Sequence, residues 1–136
     1  NIMTGVIATA TELNLLDGIT SGTLGTTNTA NTFTAEQTVT EFTETVYALT
    51  GTVIDPANGG IQSVTLSAAT TFTESLDAGQ TVVLMITNGL TNAITFPTIT
   101  WVTSAGNVAP TLTDSSTVVM WKVGSTLYGA FTGSYV

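Results

Sequence analysis

Apolar and polar positions along the chain fall into short runs broken by turn residues, and the longest apolar run sits within residues 80–88. It is β-branched and apolar, opens after Asp77, Ala78 and Gly79, and closes on Asn88 and Gly89, which are the marks of a strand with a turn at each end. A strand with one wet face alternates, yet Val82, Val83, Leu84, Met85 and Ile86 are unbroken, so side chains on both faces are expected to be shielded from water. A shorter echo at residues 118–123 ends at Gly124. One face of such a strand can lie on the chain's own core. With so little helical pattern elsewhere, the other face has few covers except copies of the same chain.

The same pattern predicts further strands at residues 46–49, 52–54, 61–66, 71–74, 81–87, 93–96, 98–102, 117–123 and 126–131. Turn chemistry separates them at residues 55–60, 77–79, 88–89, 104–107 and 124–125. Residues 46–136 therefore read as one all-β domain, a β-sandwich or small barrel. Residues 118–131, folding back at Gly124 and Ser125, form its clearest hairpin.

Residues 1–45 read differently. Thr11 suits a helix N-cap, Glu12 the electropositive first turn, and Gly18 the position past the end, while Leu13 and Leu16 share a face. Such a helix has about two turns, below the roughly 12 to 15 residues an isolated helix needs in water. It must lean on something. Residues 20–45 are rich in Ser, Gly, Thr, Asn and Ala, with one ring in each of two near-copies, Thr32-Phe33-Thr34-Ala35-Glu36 and Glu41-Phe42-Thr43-Glu44-Thr45. Flexible linker and extended shaft wrapped about a threefold axis both fit this stretch.

Composition sharpens the case for association. Only 7% of the 136 residues are charged and mean hydropathy is +0.41, against roughly a quarter charged in ordinary soluble domains. Threonine, stiff at χ1 and at home on a pleated surface, fills about a quarter of the chain. A surface so poor in charge is expected to hide apolar area between chains. Net charge is -8, with Lys122 the one cation and no histidine, which excludes electrostatic binding of nucleic acid or of an anionic membrane. No cysteine is present. No apolar run approaches the roughly 18 residues of a membrane span, and no signal peptide is visible. The opening on Asn1 reads as a piece of something longer.

Candidate chemistry is sparse. Glu41 and Glu44 are three apart, on opposite faces of an extended segment, which does not make a glycosidase pair. Asp55, Asp77 and Asp114 each sit beside a turn, where an Asx-type hydrogen bond to the backbone is expected and only a convergence of several loops would bind calcium. Serine has no histidine to activate it. No catalytic residue, metal site or cofactor is assigned, and the chain is not read as an enzyme. Lys122 either snorkels from a strand end or forms an inter-chain ion pair with a carboxylate such as Asp114. Among the aromatic residues Trp101, Trp121, Tyr128 and Tyr135, exposed rings would stack on sugar faces. Trp101, Tyr128, Asn92 and Asn107 are the candidate ligand contacts, the two asparagines on loops at residues 87–92 and 104–107. The candidate self-association residues are Leu13, Leu16, Phe33, Phe42, Val83, Met85, Val119 and Trp121.

The run Thr11-Glu12-Leu13-Asn14-Leu15-Leu16-Asp17-Gly18 resembles an element that recurs in the shafts of bacteriophage tail fibres. Gly51-Thr52-Val53-Ile54-Asp55-Pro56-Ala57-Asn58-Gly59-Gly60, followed by Ile94-Thr95-Phe96-Pro97, Ile99-Thr100-Trp101, residues 109–113 and Leu127-Tyr128-Gly129-Ala130, looks like the C-terminal β-domain of such fibres. The resemblance implies a homotrimeric virion fibre or spike: a helix and shaft over residues 1–45, and a head over residues 46–136 that recognises a host-surface glycan. Its further partners would be other virion proteins, met through the N-terminal side. A capsid or tail decoration protein without receptor binding is the alternative. No receptor residue carries over from the pattern.

Overall fold

The computed structural model describes residues 34, 36–103 and 106–135. The expected helix and most of the expected shaft, with Leu13, Leu16 and Phe33, lie outside the described residues. The compact unit that carries the fold runs from Glu41 to Val136.

Among the described residues ten strands follow in order: β1 (Val46–Ala48), β2 (Val53–Ile54), β3 (Ile61–Thr65), β4 (Thr70–Thr71), β5 (Thr73–Glu74), β6 (Thr81–Thr87), β7 (Ile94–Thr95), β8 (Thr100–Trp101), β9 (Ser115–Val123) and β10 (Thr126–Ser134). The only other regular element among the described residues is a 3-10 turn over Pro56–Asn58. The all-β reading is borne out, and β6 has the expected bounds.

Six strands make one mixed sheet in the order β1-β3-β6-β9-β10-β8. β1, β3 and β6 run parallel, with Val46 opposite Ile61 and Ile61 opposite Val83. Parallel neighbours need long crossovers, and here each crossover carries strands of its own. β2 lies in the first crossover and β5 in the second, and the two pair in parallel; β4 of the second pairs likewise with β7, which follows β6. The chain therefore winds, each pass stacking on the one before. β9 ends the winding by pairing antiparallel with β6, and β10 folds back on β9 at Gly124, whose φ of 57° is left-handed and free of side-chain strain only for glycine. The expected hairpin is thus present, with a bulge between Phe131 and Gly133.

One core serves the large sheet and the short pairs alike. Alternation on β6 sends Val82, Leu84 and Ile86 inward, where Val118 and Met120 of β9 join them. Ile54, Phe72 and Leu76, from in and around the short pairs, complete the same cluster. Gly129 admits the last strand: a Cβ there would stand 2.9 Å from Ile99 Cγ2 and 3.1 Å from Trp101 Cζ3, so any larger residue would crowd β8 where it closes on β10. At the other end Gln62 is fully buried, and its Nε2 donates to Asp55 O and Gly59 O at 2.6 and 3.0 Å. Those bonds tie the loop between β2 and β3 to the sheet.

Candidate functional site

Alternation along β6 leaves Val83 and Met85 pointing away from the core, half-exposed within the single chain. Their register partners extend the surface across the sheet. One row joins Val46, Ile61, Val83, Val119 and Ala130 over five strands. Two residues along, a second row joins Ala48, Ser63, Met85, Thr117 and Gly133. On the other side a third joins Thr81, Trp121, Tyr128 and Thr100, with the Trp121 and Tyr128 rings stacked at 5.9 Å and 15°. None of these residues is charged, in a chain of net charge -8.

Four of the eight expected association residues, Val83, Met85, Val119 and Trp121, are thus brought onto one face. Phe42 lies in the stretch before β1 and is 79% exposed. The sequence pattern missed Ile61, Val46 and Ala130, which joined the row only once the parallel register of β1, β3 and β6 was known. Tyr128, expected as a ligand contact, belongs to this face and is engaged with Trp121.

The other expected ligand contacts lie elsewhere and are occupied. Trp101 is corrected to a core residue: 7% exposed, its ring sits edge-on to Phe96 at 5.2 Å, so it offers no face to a sugar. Asn107 adopts a left-handed φ of 41°, and its Oδ1 accepts the Trp101 N–H at 2.8 Å, closing the loop after β8. Asn92 donates through Nδ2 to Asn88 O at 3.1 Å, while Asn88, itself left-handed, donates to Leu66 O at 2.9 Å. These amides hold loops in shape. Tyr135 shares a hydrogen bond with the Thr87 hydroxyl at 2.9 Å.

Lys122 also finds a different partner from the one expected. Its Nζ reaches Glu74 Oε1 of the same chain at 2.9 Å, with the two side chains 21% and 16% exposed, so β9 is tied to β5 within the chain. Lys122 is opposite Leu127 and therefore on the core side of the sheet, which is why the acid that meets it comes from β5. Glu74 is held again by the Leu76 N–H, 2.6 Å from its Oε2. The Asx expectation holds at Asp55, whose Oδ1 accepts the Ala57 N–H at 2.9 Å. At Asp77 the turn closes instead through Gln80, whose Oε1 accepts the Asp77 N–H at 2.7 Å. Among the described residues, no three His, Cys, Asp or Glu side chains gather as metal ligands, and no helix is long and apolar enough to cross a membrane.

No protein-family model, curated protein or solved structure matches the chain.

Proposed function

We propose that the chain is a structural module of a phage-like fibre or spike that trimerises through the outer face of its six-stranded sheet and presents its head to a host-surface glycan. The observation that carries this is the uncharged row Val46, Ile61, Val83, Val119 and Ala130, flanked by Met85 and by the stacked Trp121 and Tyr128. In a chain with -8 net charge, a face free of acids is where copies can approach without repulsion. The main sheet and the β2–β5 and β4–β7 pairs share one core, and we read them as the two layers of a sandwich head. The resemblance of residues 11–18 to fibre shafts supplies the virion setting, with the N-terminal side joined to other virion proteins.

Size decides how much this face can do alone. Five strands about 4.8 Å apart, with three rows spaced over about 13 Å, give a footprint of about 400 Å² once side-chain margins are included. That is near the largest apolar patch of an ordinary monomer, and about half of the roughly 800 Å² each partner contributes to a stable interface. Residues 1–45 would supply the remainder.

Light scattering on the full chain tests the proposal. Three times 14.0 kDa is the expected mass, and Val119→Lys is expected to return it to a single chain while Val119→Thr leaves the trimer intact. Far-ultraviolet circular dichroism on each variant separates lost assembly from lost folding. A wild-type monomer at all concentrations would overturn the reading.

A further inference from the structure

Between the turn after β9 and the strand β5 lies a cleft of about 540 Å³, within the size range of small-molecule sites. Five hydroxyl-bearing residues line it, Thr73, Thr98, Thr100, Ser125 and Thr126, and among the described residues none of the five has a side-chain hydrogen-bond partner. Some hydroxyls elsewhere in the fold are spent internally, as Thr113 bonds Ser116 and Ser134 and Thr87 bonds Tyr135. The cleft therefore gathers unused donors and acceptors in one place. Phe72, Pro97 and Leu127 give it an apolar floor.

Its electrostatics narrow the ligand. Glu74 lines the cleft and is fixed twice, by the Lys122 ammonium on one oxygen and by the Leu76 N–H on the other. A carboxylate offers about four lone-pair sites, so this one can still accept from a ligand hydroxyl without moving. The chain's single cation is already neutralised by that carboxylate, so an anionic ligand gains nothing here. A purely apolar ligand would strand the hydroxyls without partners.

We propose that this cleft binds a neutral saccharide, the sugar's C–H face on Pro97, and its hydroxyls on the threonines and on Glu74. The proposal rests on the reading of the module as a glycan-presenting head and gives that reading a location. It replaces the aromatic loops, where Trp101, Asn92 and Asn107 are committed to the fold, with a hydroxyl-lined cleft carrying no exposed aromatic platform.

The test is a titration of the isotopically labelled full chain with neutral methyl glycosides of glucose, galactose, mannose and N-acetylglucosamine, and with glucuronate as the anionic counterpart, read by amide chemical shifts. At least one neutral glycoside is expected to move the amides of Thr98, Ser125 and Thr126, with glucuronate weaker. Thr98→Val with Thr126→Val, which keeps side-chain shape while removing two hydroxyls, is expected to weaken that binding by about tenfold or more. Shifts confined to other surfaces, no shift with any glycoside, or undiminished binding by the double variant would each overturn the proposal. Light scattering on the same samples keeps the two readings apart: a trimer that binds no sugar refutes the cleft alone, and a monomer that binds sugar refutes the assembly alone.

Discussion

Gln62 carries the sharpest energetic prediction, because a fully buried amide is held only on its donor side. Nε2 serves Asp55 O and Gly59 O, while Oε1 is buried without a partner. Asp55 O keeps a second donor in the Asn58 N–H at 3.0 Å; the carbonyl of Gly59, itself buried, has no such reserve. Gln62→Met preserves volume and removes two hydrogen bonds of about 1 kcal/mol each, strands Gly59 O at about 1–3 kcal/mol, and relieves the unpartnered Oε1 by a comparable amount. The net loss is about 2 kcal/mol. Gln62→Glu separates hydrogen bonding from packing. The introduced carboxyl would face two carbonyls in a dry site, so its folded-state pKa rises above the unfolded value of about 4.3. For an acid shifted upward the penalty is absent below about pH 4.3 and grows with pH, at about 1.36 kcal/mol per unit, until the folded pKa is reached. Between pH 5 and pH 7 the variant should lose up to about 2.7 kcal/mol relative to wild type, a large share of the roughly 5–15 kcal/mol of an ordinary domain. Urea unfolding followed by tryptophan fluorescence at fixed protein concentration measures this, with both pH values kept above the isoelectric point near 4.1. An equal loss at the two pH values, or a Gln62→Met variant as stable as wild type, would refute the donor-side account.

Gly129→Ala should cost about 1–3 kcal/mol by overpacking against Ile99 and Trp101, seen as a lowered urea midpoint and a changed tryptophan emission maximum. Lys122→Met should cost about 1–2 kcal/mol, because Glu74 loses its cation while keeping the Leu76 N–H and some solvent; high salt should narrow the gap to wild type. Asp55→Ala removes the cap on the turn at Pro56–Asn58 and should lower stability by about 1 kcal/mol, whereas Asp77→Ala, whose side chain closes no turn, should be nearly neutral in the same melt.

Local physics made the strands legible. Residues 81–87 and the hairpin at Gly124 were readable because β-branched runs and left-handed turn residues act within a few positions of the chain. The winding was not: pairing Val46 with Ile61 and Val83 depends on crossovers whose own strands pair with each other, and nothing within one strand states its neighbour. The unbroken run 82–86 singled out Val83 and Met85, since an apolar residue on the outer face of a strand stands out by itself. Ile61 and Val46 sit among polar neighbours and gain meaning only from register. Trp101 misled because proximity to a Gly-Asn loop says nothing of which way a ring turns; the Asn107 side chain binds the Trp101 backbone and leaves the indole in the core. For Lys122, the choice of acid was set by which side of β9 it occupies, a consequence of its pairing with Leu127.

The placement of Lys122 also makes the fold its own proteolytic clock. Trypsin cuts after lysine or arginine, and these 136 residues hold one such bond, Lys122–Val123, in a central strand hydrogen-bonded on both sides to β6 and β10. A protease needs that stretch extended and free. Cleavage thus requires the turn end of the β9–β10 hairpin to leave the sheet, and the rate of appearance of a single cut reports how often that end opens, with no label added and no second site to confuse the count.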